Sequence, residues 1–341
     1  MISRRKQSYP ISQELRHYLR RYGRNVEIPT IYDDLQRFTG GIPYEDPRGE
    51  ETLWLSIMYS PEEREPLYKA LTAIYIQLKA GKSGDDADIS DHLEVERIDF
   101  AEFGNSRPFR IRIRNKFNDN FDHYYVKRAD ASRVYGLELE HILSPNRINY
   151  LVFGNTLIEE HIPGVPGDRF ISDYLSFTEI NRVRIAKEFV KFNQRCFAHL
   201  LGDMRTVNYV VDITPDFEET QYRVRPIDFD QQSYEGSVKV YLAQFFPDNS
   251  PIVKLVRSEL NAETINQYKV EERTIIGRRR VIAARRLNML FDAMRFEELA
   301  PADHVFQLSE ELAEHHNNPA AFALCRTMGD LIETHLGLLV E

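Results

Sequence analysis

Leu201 to Val211 read Leu-Gly-Asp-Met-Arg-Thr-Val-Asn-Tyr-Val-Val, and Pro226 to Asp230 read Pro-Ile-Asp-Phe-Asp. In the first stretch Asp203 is followed five residues later by Asn208, and then by a short apolar strand, Asn-Tyr-Val-Val-Asp. The second stretch ends another strand, Tyr-Arg-Val-Arg-Pro-Ile-Asp-Phe-Asp. The polar turn Ile-Thr-Pro-Asp-Phe-Glu-Glu-Thr joins the two. Each stretch has a plain structural reading. Asp203 caps a turn and Asn208 bonds its own backbone, as Asx residues commonly do, while Asp228 and Asp230 make a solvated strand end. Neither motif is specific alone; their order carries the argument, because the acidic loop stands one hairpin upstream of the acidic strand end.

Working outward, FTEINRVRIAKEFVKFNQRCFAHLLG, ending at Gly202, has helical spacing and feeds the acidic loop. Before it, Pro163, Gly164, Pro166 and Gly167 break the pattern sharply. Further upstream come two short strands near NYLVF and TLIEEHI, and a helix from Ala131 to Leu143. Three antiparallel strands precede that helix: LEVERIDFAEF, FRIRIR and HYYVKRA. FRIRIR alternates strictly, with Phe109, Ile111 and Ile113 on one side and Arg110, Arg112 and Arg114 on the other. Residues 1 to about 80 read as helical, in SQELRHYLRRYG and SPEEREPLYKALTAIYIQLKAG, the second opened by a Ser-Pro-Glu start. Gly81 to Asp91 read as a polar linker. It contains Gly81-Lys82-Ser83, the tail of a P-loop, but Ile76 stands where that motif needs its first glycine and the preceding residues are helical. Beyond Asp230 the chain reads as several amphipathic helices, with no internal repeat.

Lys127 (in Tyr-Tyr-Val-Lys), Asp203, Asn208 and Asp228 fall into this order. Phosphoryl transfer needs such a set: a cation on the nucleotide phosphates, a carboxylate at the attacking group, and oxygen ligands for magnesium. Here the chain resembles the protein-kinase-like superfamily over about residues 93 to 235, nearer the aminoglycoside and choline phosphotransferases than the eukaryotic protein kinases. The resemblance implies an α+β, two-lobed fold: a small antiparallel sheet lobe, a larger mainly helical lobe and an N-terminal helical extension. The boundaries it suggests are 1–90, 91–163 and 164–341, with Mg-ATP bound between the lobes.

The resemblance also assigns roles. Asp203 accepts or orients the proton of the attacking hydroxyl, and Arg205 takes the place of a lysine that steadies the γ-phosphate. Asn208 and Asp228 ligate magnesium, with Asp230 assisting. Lys127 holds the α- and β-phosphates and expects a glutamate partner on the following helix, Glu138 in preference to Glu140. The turn Phe-Gly-Asn-Ser-Arg-Pro covers the phosphates with Gly104 as its one glycine. The strand and hinge TLIEEHIPGVPG bonds the adenine edge through its backbone around Glu160 to Ile162. No Ala-Pro-Glu follows Asp230, which points to a small molecule or an unusual protein as substrate. The expected activity is ATP- and magnesium-dependent transfer of the γ-phosphoryl group to a hydroxyl. The alternatives are a non-catalytic pseudokinase-like module, nucleotidyl transfer in the same cleft and, last, a metal-dependent hydrolase, which the ten histidines in no ligand spacing disfavour.

Bulk properties set the outer bounds. With 341 residues, 42% hydrophobic and 28% charged, the chain reads as soluble and globular. No apolar run approaches the roughly 20 residues of a membrane helix. MISRRKQSYP lacks a secretory apolar stretch, and Cys196 and Cys325 stand far apart, so the expected location is cytoplasmic, with no membrane partner. A net charge of −9 argues against nucleic acid. Arg278, Arg279, Arg280, Arg285 and Arg286 run against that balance, as a solvated face and partners for nearby acids, or as a subsite for an anionic acceptor.

Overall fold

The computed structural model describes residues 6–46, 49, 51–80, 91–102, 106–177, 180–217 and 220–340. The chain is α+β and divides into two compact units: 1–131 with 148–161, and 132–147 with 162–341. Its main elements are α1 (Gln13–Arg21), α2 (Tyr32–Leu35), β1 (Gly40–Glu45), β2 (Glu51–Met58), α3 (Pro61–Ala80), β3 (Leu93–Phe100), β4 (Phe109–Asn115), β5 (Phe121–Arg128) and α4 (Ala131–Leu143). There follow β6 (Tyr150–Phe153), β7 (Thr156–Glu160), β8 (Val165–Pro166), α5 (Arg182–His199), β9 (Tyr209–Thr214) and β10 (Gln221–Pro226). The last helices are α6 (Ser250–Glu259), α7 (Ala262–Ile282), α8 (Ala284–Arg295), α9 (Ala302–His315) and α10 (Met328–Val340).

The first unit is built on a seven-stranded sheet in the order β1-β2-β3-β4-β5-β7-β6, with every named pair antiparallel. Alternation in β4 does what the sequence expects. Phe109, Ile111 and Ile113 are buried in one core with Val95, Ile98, Tyr124, Val126 and Ile158. Helix α3 closes that core with Leu71, Ile74 and Leu78, and the Tyr124 hydroxyl donates to Leu71 O at 2.9 Å. On the opposite face Asp99 is fully buried, but its carboxylate accepts from Arg97 Nε (2.8 Å), Arg110 Nε and Nη2 (3.0 and 2.8 Å) and Ser56 Oγ (2.8 Å). A buried charge so paired avoids the penalty an isolated one carries.

The N-terminal region departs from the helical expectation. Helices α1 and α3 are present, capped by Ser12 Oγ on Leu15 N and Ser60 Oγ on Glu63 N. Between them the hairpin β1–β2 extends the sheet, pairing Leu55 with Phe100 and Ser56 with Asp99. Gly40, Gly41 and Pro43 disfavour a strand, and in β2 apolar residues fall on both phases, Leu55 and Ile57 against Trp54 and Met58, so no alternation announces it. The linker expected at Gly81 to Asp91 lies outside the described residues except for Asp91, and Gly104 lies outside them too.

The second unit is helical around α5, whose Ile185, Phe189, Phe192 and Phe197 are buried. A small sheet, β10-β9-β8, lies beside it. Arg195 of α5 is buried, donating to Glu272 Oε1 at 3.1 Å and Val224 O at 2.9 Å. The Pro/Gly break has a packing reason at Gly167, where an added Cβ would lie 2.4 Å from the Tyr209 ring. Helix α4 belongs to this unit, and among the described residues no helix is long and apolar enough to cross a membrane.

Candidate functional site

The acidic loop begins where α5 stops. Leu200 ends the helix in the left-handed region (φ 51°), and Asp203 repeats that conformation (φ 58°), which an aspartate tolerates better than most side chains. Hydrogen bonds then fasten this loop to the segment after β10. Gly202 N donates to Gln231 O (3.2 Å), Ser233 N to Leu200 O (2.9 Å) and Ile227 N to Asn208 O (2.9 Å). Asp248 anchors the far side by accepting from Thr206 N and Oγ1 at 2.8 and 2.9 Å. Asn249, fully buried, donates to Met204 O and Ala243 O. The backbone therefore brings Asp203, Arg205, Asn208, Asp228 and Asp230 into one partly exposed neighbourhood of the helical unit.

Within it the side chains are engaged with one another. Arg205 grips Asp203 in two places, Nε to Oδ1 at 2.9 Å and Nη2 to Oδ2 at 3.0 Å. Asn208 Nδ2 donates to Asp203 O at 2.7 Å and lies 3.4 Å from Asp203 Oδ2. Burial pushes the Asp203 carboxyl above the usual carboxylate range; the Arg205 guanidinium draws it back, and the charges of Asp228 and Asp248 push it further up. Asp228 Oδ1 accepts from the Asp230 amide at 3.0 Å and from Arg133 Nη1 at 2.9 Å, and the same Nη1 lies 3.3 Å from Asp230 Oδ1. Arg133, from the first turn of α4, gave no sign in the sequence. The same is true of Asp248 and Asn249, whose only signal is the Asp-Asn-Ser-Pro opening of α6.

The remaining candidates have partners of their own. Lys127 is buried in the strand-rich unit, and there its ammonium donates to Glu159 Oε2 of the adjacent strand at 2.6 Å. Glu138, on the following helix, is fully buried and accepts from Arg286 Nε at 2.7 Å. Glu140 is buried against His199, Nδ1 lying 3.3 Å from Oε2. Glu159, which sequence reasoning did not single out, reaches the lysine from the strand hydrogen-bonded to β5.

In the expected hinge, Glu160 N donates to Asn149 O at 3.0 Å and His161 N to His123 O at 3.3 Å. The Glu160 carboxylate accepts from Asn149 N at 2.7 Å, so that residue is committed to the sheet, and Ile162 is buried. Of the arginine cluster, Arg279 Nε donates to Ile142 O and Arg286 binds Glu138, while Arg278 and Arg280 line an 850 Å³ groove with Leu287 and Phe291. Among the described residues no group of three or more His, Cys, Asp or Glu side chains converges as a metal site. Compared with known proteins, the chain matches no family model and no curated protein sequence.

Proposed function

We propose that the chain is an ATP- and magnesium-dependent phosphotransferase of protein-kinase-like fold acting on a hydroxyl. The observation that carries this reading is the hydrogen-bonded fastening of the Leu200–Asn208 loop to the Ile227–Ser233 segment, which gathers Asp203, Asn208, Asp228 and Asp230. The order β3-β4-β5-β7-β6, with a buried lysine on its central strand and a helix following that strand, supports the same reading. The oxygen set suits magnesium: carboxylates and a carboxamide are hard donors, and the Arg133 guanidinium already rests on Asp228 and Asp230, a position that accepts positive charge. A bound magnesium ion supplies charge neutralisation to the nucleotide phosphates, with Asn208, Asp228 and Asp230 as the residues that would hold it.

The chain's own residues do the rest. Lys127, buried and ion-paired with Glu159, is the residue this reading assigns to the α- and β-phosphates. The Asp203 carboxylate takes the proton of the acceptor hydroxyl as its oxygen bonds to the γ-phosphorus and the bond to ADP breaks. Arg205 fixes the orientation of that carboxylate and opposes the upward push of burial on its proton affinity.

Incubation with ATP and magnesium tests the reading. The wild type releases ADP, and Asp203→Asn lowers the rate by about 10²- to 10⁴-fold while leaving nucleotide affinity within about threefold. Release of pyrophosphate in place of ADP, identified by product mass, assigns nucleotidyl transfer instead. A non-catalytic module has one observation in its favour, the arginine seated on the acidic pair. It is the outcome if nucleotide binds and no product forms with any acceptor.

A further inference from the structure

We propose that Arg133 is a built-in counter-cation for Asp228 and Asp230, competing with a divalent cation for the same carboxylate oxygens. The inference rests on the phosphotransferase reading of this site and adds its regulation. A carboxylate oxygen offers about two lone pairs to donors or metals. On Asp228 Oδ1 the structure places two donors, Arg133 Nη1 at 2.9 Å and the Asp230 amide at 3.0 Å. The amide belongs to the turn of the chain itself, so the group that yields to an incoming ion is the guanidinium. Arg133 Nη1 also lies 3.3 Å from Asp230 Oδ1, which spans the pair as a bridging ion does. Its side chain is only 4% exposed, against 35% for Asp228, so the arginine meets the carboxylate from inside the protein.

Helix α4 is held tightly to the same segment. At Gly136, three residues beyond Arg133, an added Cβ would lie 3.0 Å from Phe229 Cβ and 3.2 Å from Gln232 Cβ. The arginine therefore leaves by rotating its own side chain or by moving with a closely packed helix. Either route makes cation binding and release of the arginine one coupled equilibrium, in which ions and arginine oppose each other. The acidic pair then binds a bare ion weakly and responds to whatever draws Arg133 away.

Manganese alone, titrated into the full chain without nucleotide and followed by the paramagnetic signal of the free ion, tests this. Arg133→Gln is expected to bind manganese about tenfold more tightly than wild type, and adding Asp228→Asn is expected to remove the gain. Equal affinity in wild type and Arg133→Gln overturns the proposal, as does a gain that survives Asp228→Asn. Should Arg133→Gln not fold, Arg133→Lys carries the test, since its shorter stem draws the cation back from the position at which Arg133 Nη1 meets both carboxylates. Tighter manganese binding by Arg133→Lys, by a smaller factor, supports the competition, and unchanged or weaker binding overturns it. The phosphotransferase reading fails separately: neither wild type nor Arg133→Gln then binds ATP in a magnesium-dependent way, even where manganese affinity rises.

Discussion

Asp203 has two opposed influences on its charge. Burial and the neighbouring carboxylates hold its proton on, and the two-point contact with Arg205 draws the proton off. On the phosphotransferase reading Asp203 is the base, and a base must be ionised to act, so the acid limb of the activity profile is expected above the usual carboxylate range. Arg205→Ala removes the guanidinium that lowers this carboxyl. The acid limb is then expected to move to higher pH, with activity at the alkaline plateau falling less than activity near pH 5. A pH–rate profile of the two proteins measures the displacement; an unchanged or downward-shifted limb would show that Asp203 is not the titrating base. Arg133 and Lys127 follow the same rule, that a buried cation is stable only against carboxylates, and each is held by its own: Asp228 and Asp230 for the first, Glu159 for the second.

Among elements, α4 does more than its length suggests. It delivers Arg133, buries Glu138 against Arg286 and Glu140 against His199, and packs Gly136 onto Phe229. A side chain at Gly136 has nowhere to go. Gly136→Leu is expected to lower stability by about 1–3 kcal/mol, as overpacking does, read as a drop in thermal midpoint; an unchanged midpoint would show that the helix has room to shift. The boundaries of α4, Ala131–Leu143, were legible because its apolar periodicity is uninterrupted, and β4 was legible because arginine alternates with Phe and Ile. The hairpin β1–β2 was not. Its glycines and proline argue against strand structure, and only pairing with β3, distant in sequence, makes it one. The site divides the same way. Asp203, Asn208, Asp228 and Asp230 could be named from chain order, since neighbouring elements hold them. Glu159, Arg133 and Asp248 depend on contacts between segments well separated in sequence, which no local pattern encodes.

At the scale of the whole molecule, two compact units each carry their own core, one around a seven-stranded antiparallel sheet and one around α5. The net charge of −9 repels a free nucleotide polyanion, so the account requires the nucleotide to arrive with its charge largely neutralised. On the proposed reading nucleotide binding therefore depends on magnesium, whatever the acceptor. The most direct measurement is a calorimetric titration of ATP into wild type and Asp228→Ala, each with and without magnesium. The account predicts saturable binding by the wild type with magnesium, and a loss of at least about tenfold in affinity when either the metal or the Asp228 carboxylate is removed. Absence of binding by the wild type at millimolar ATP with magnesium, or equal binding by Asp228→Ala, would contradict it.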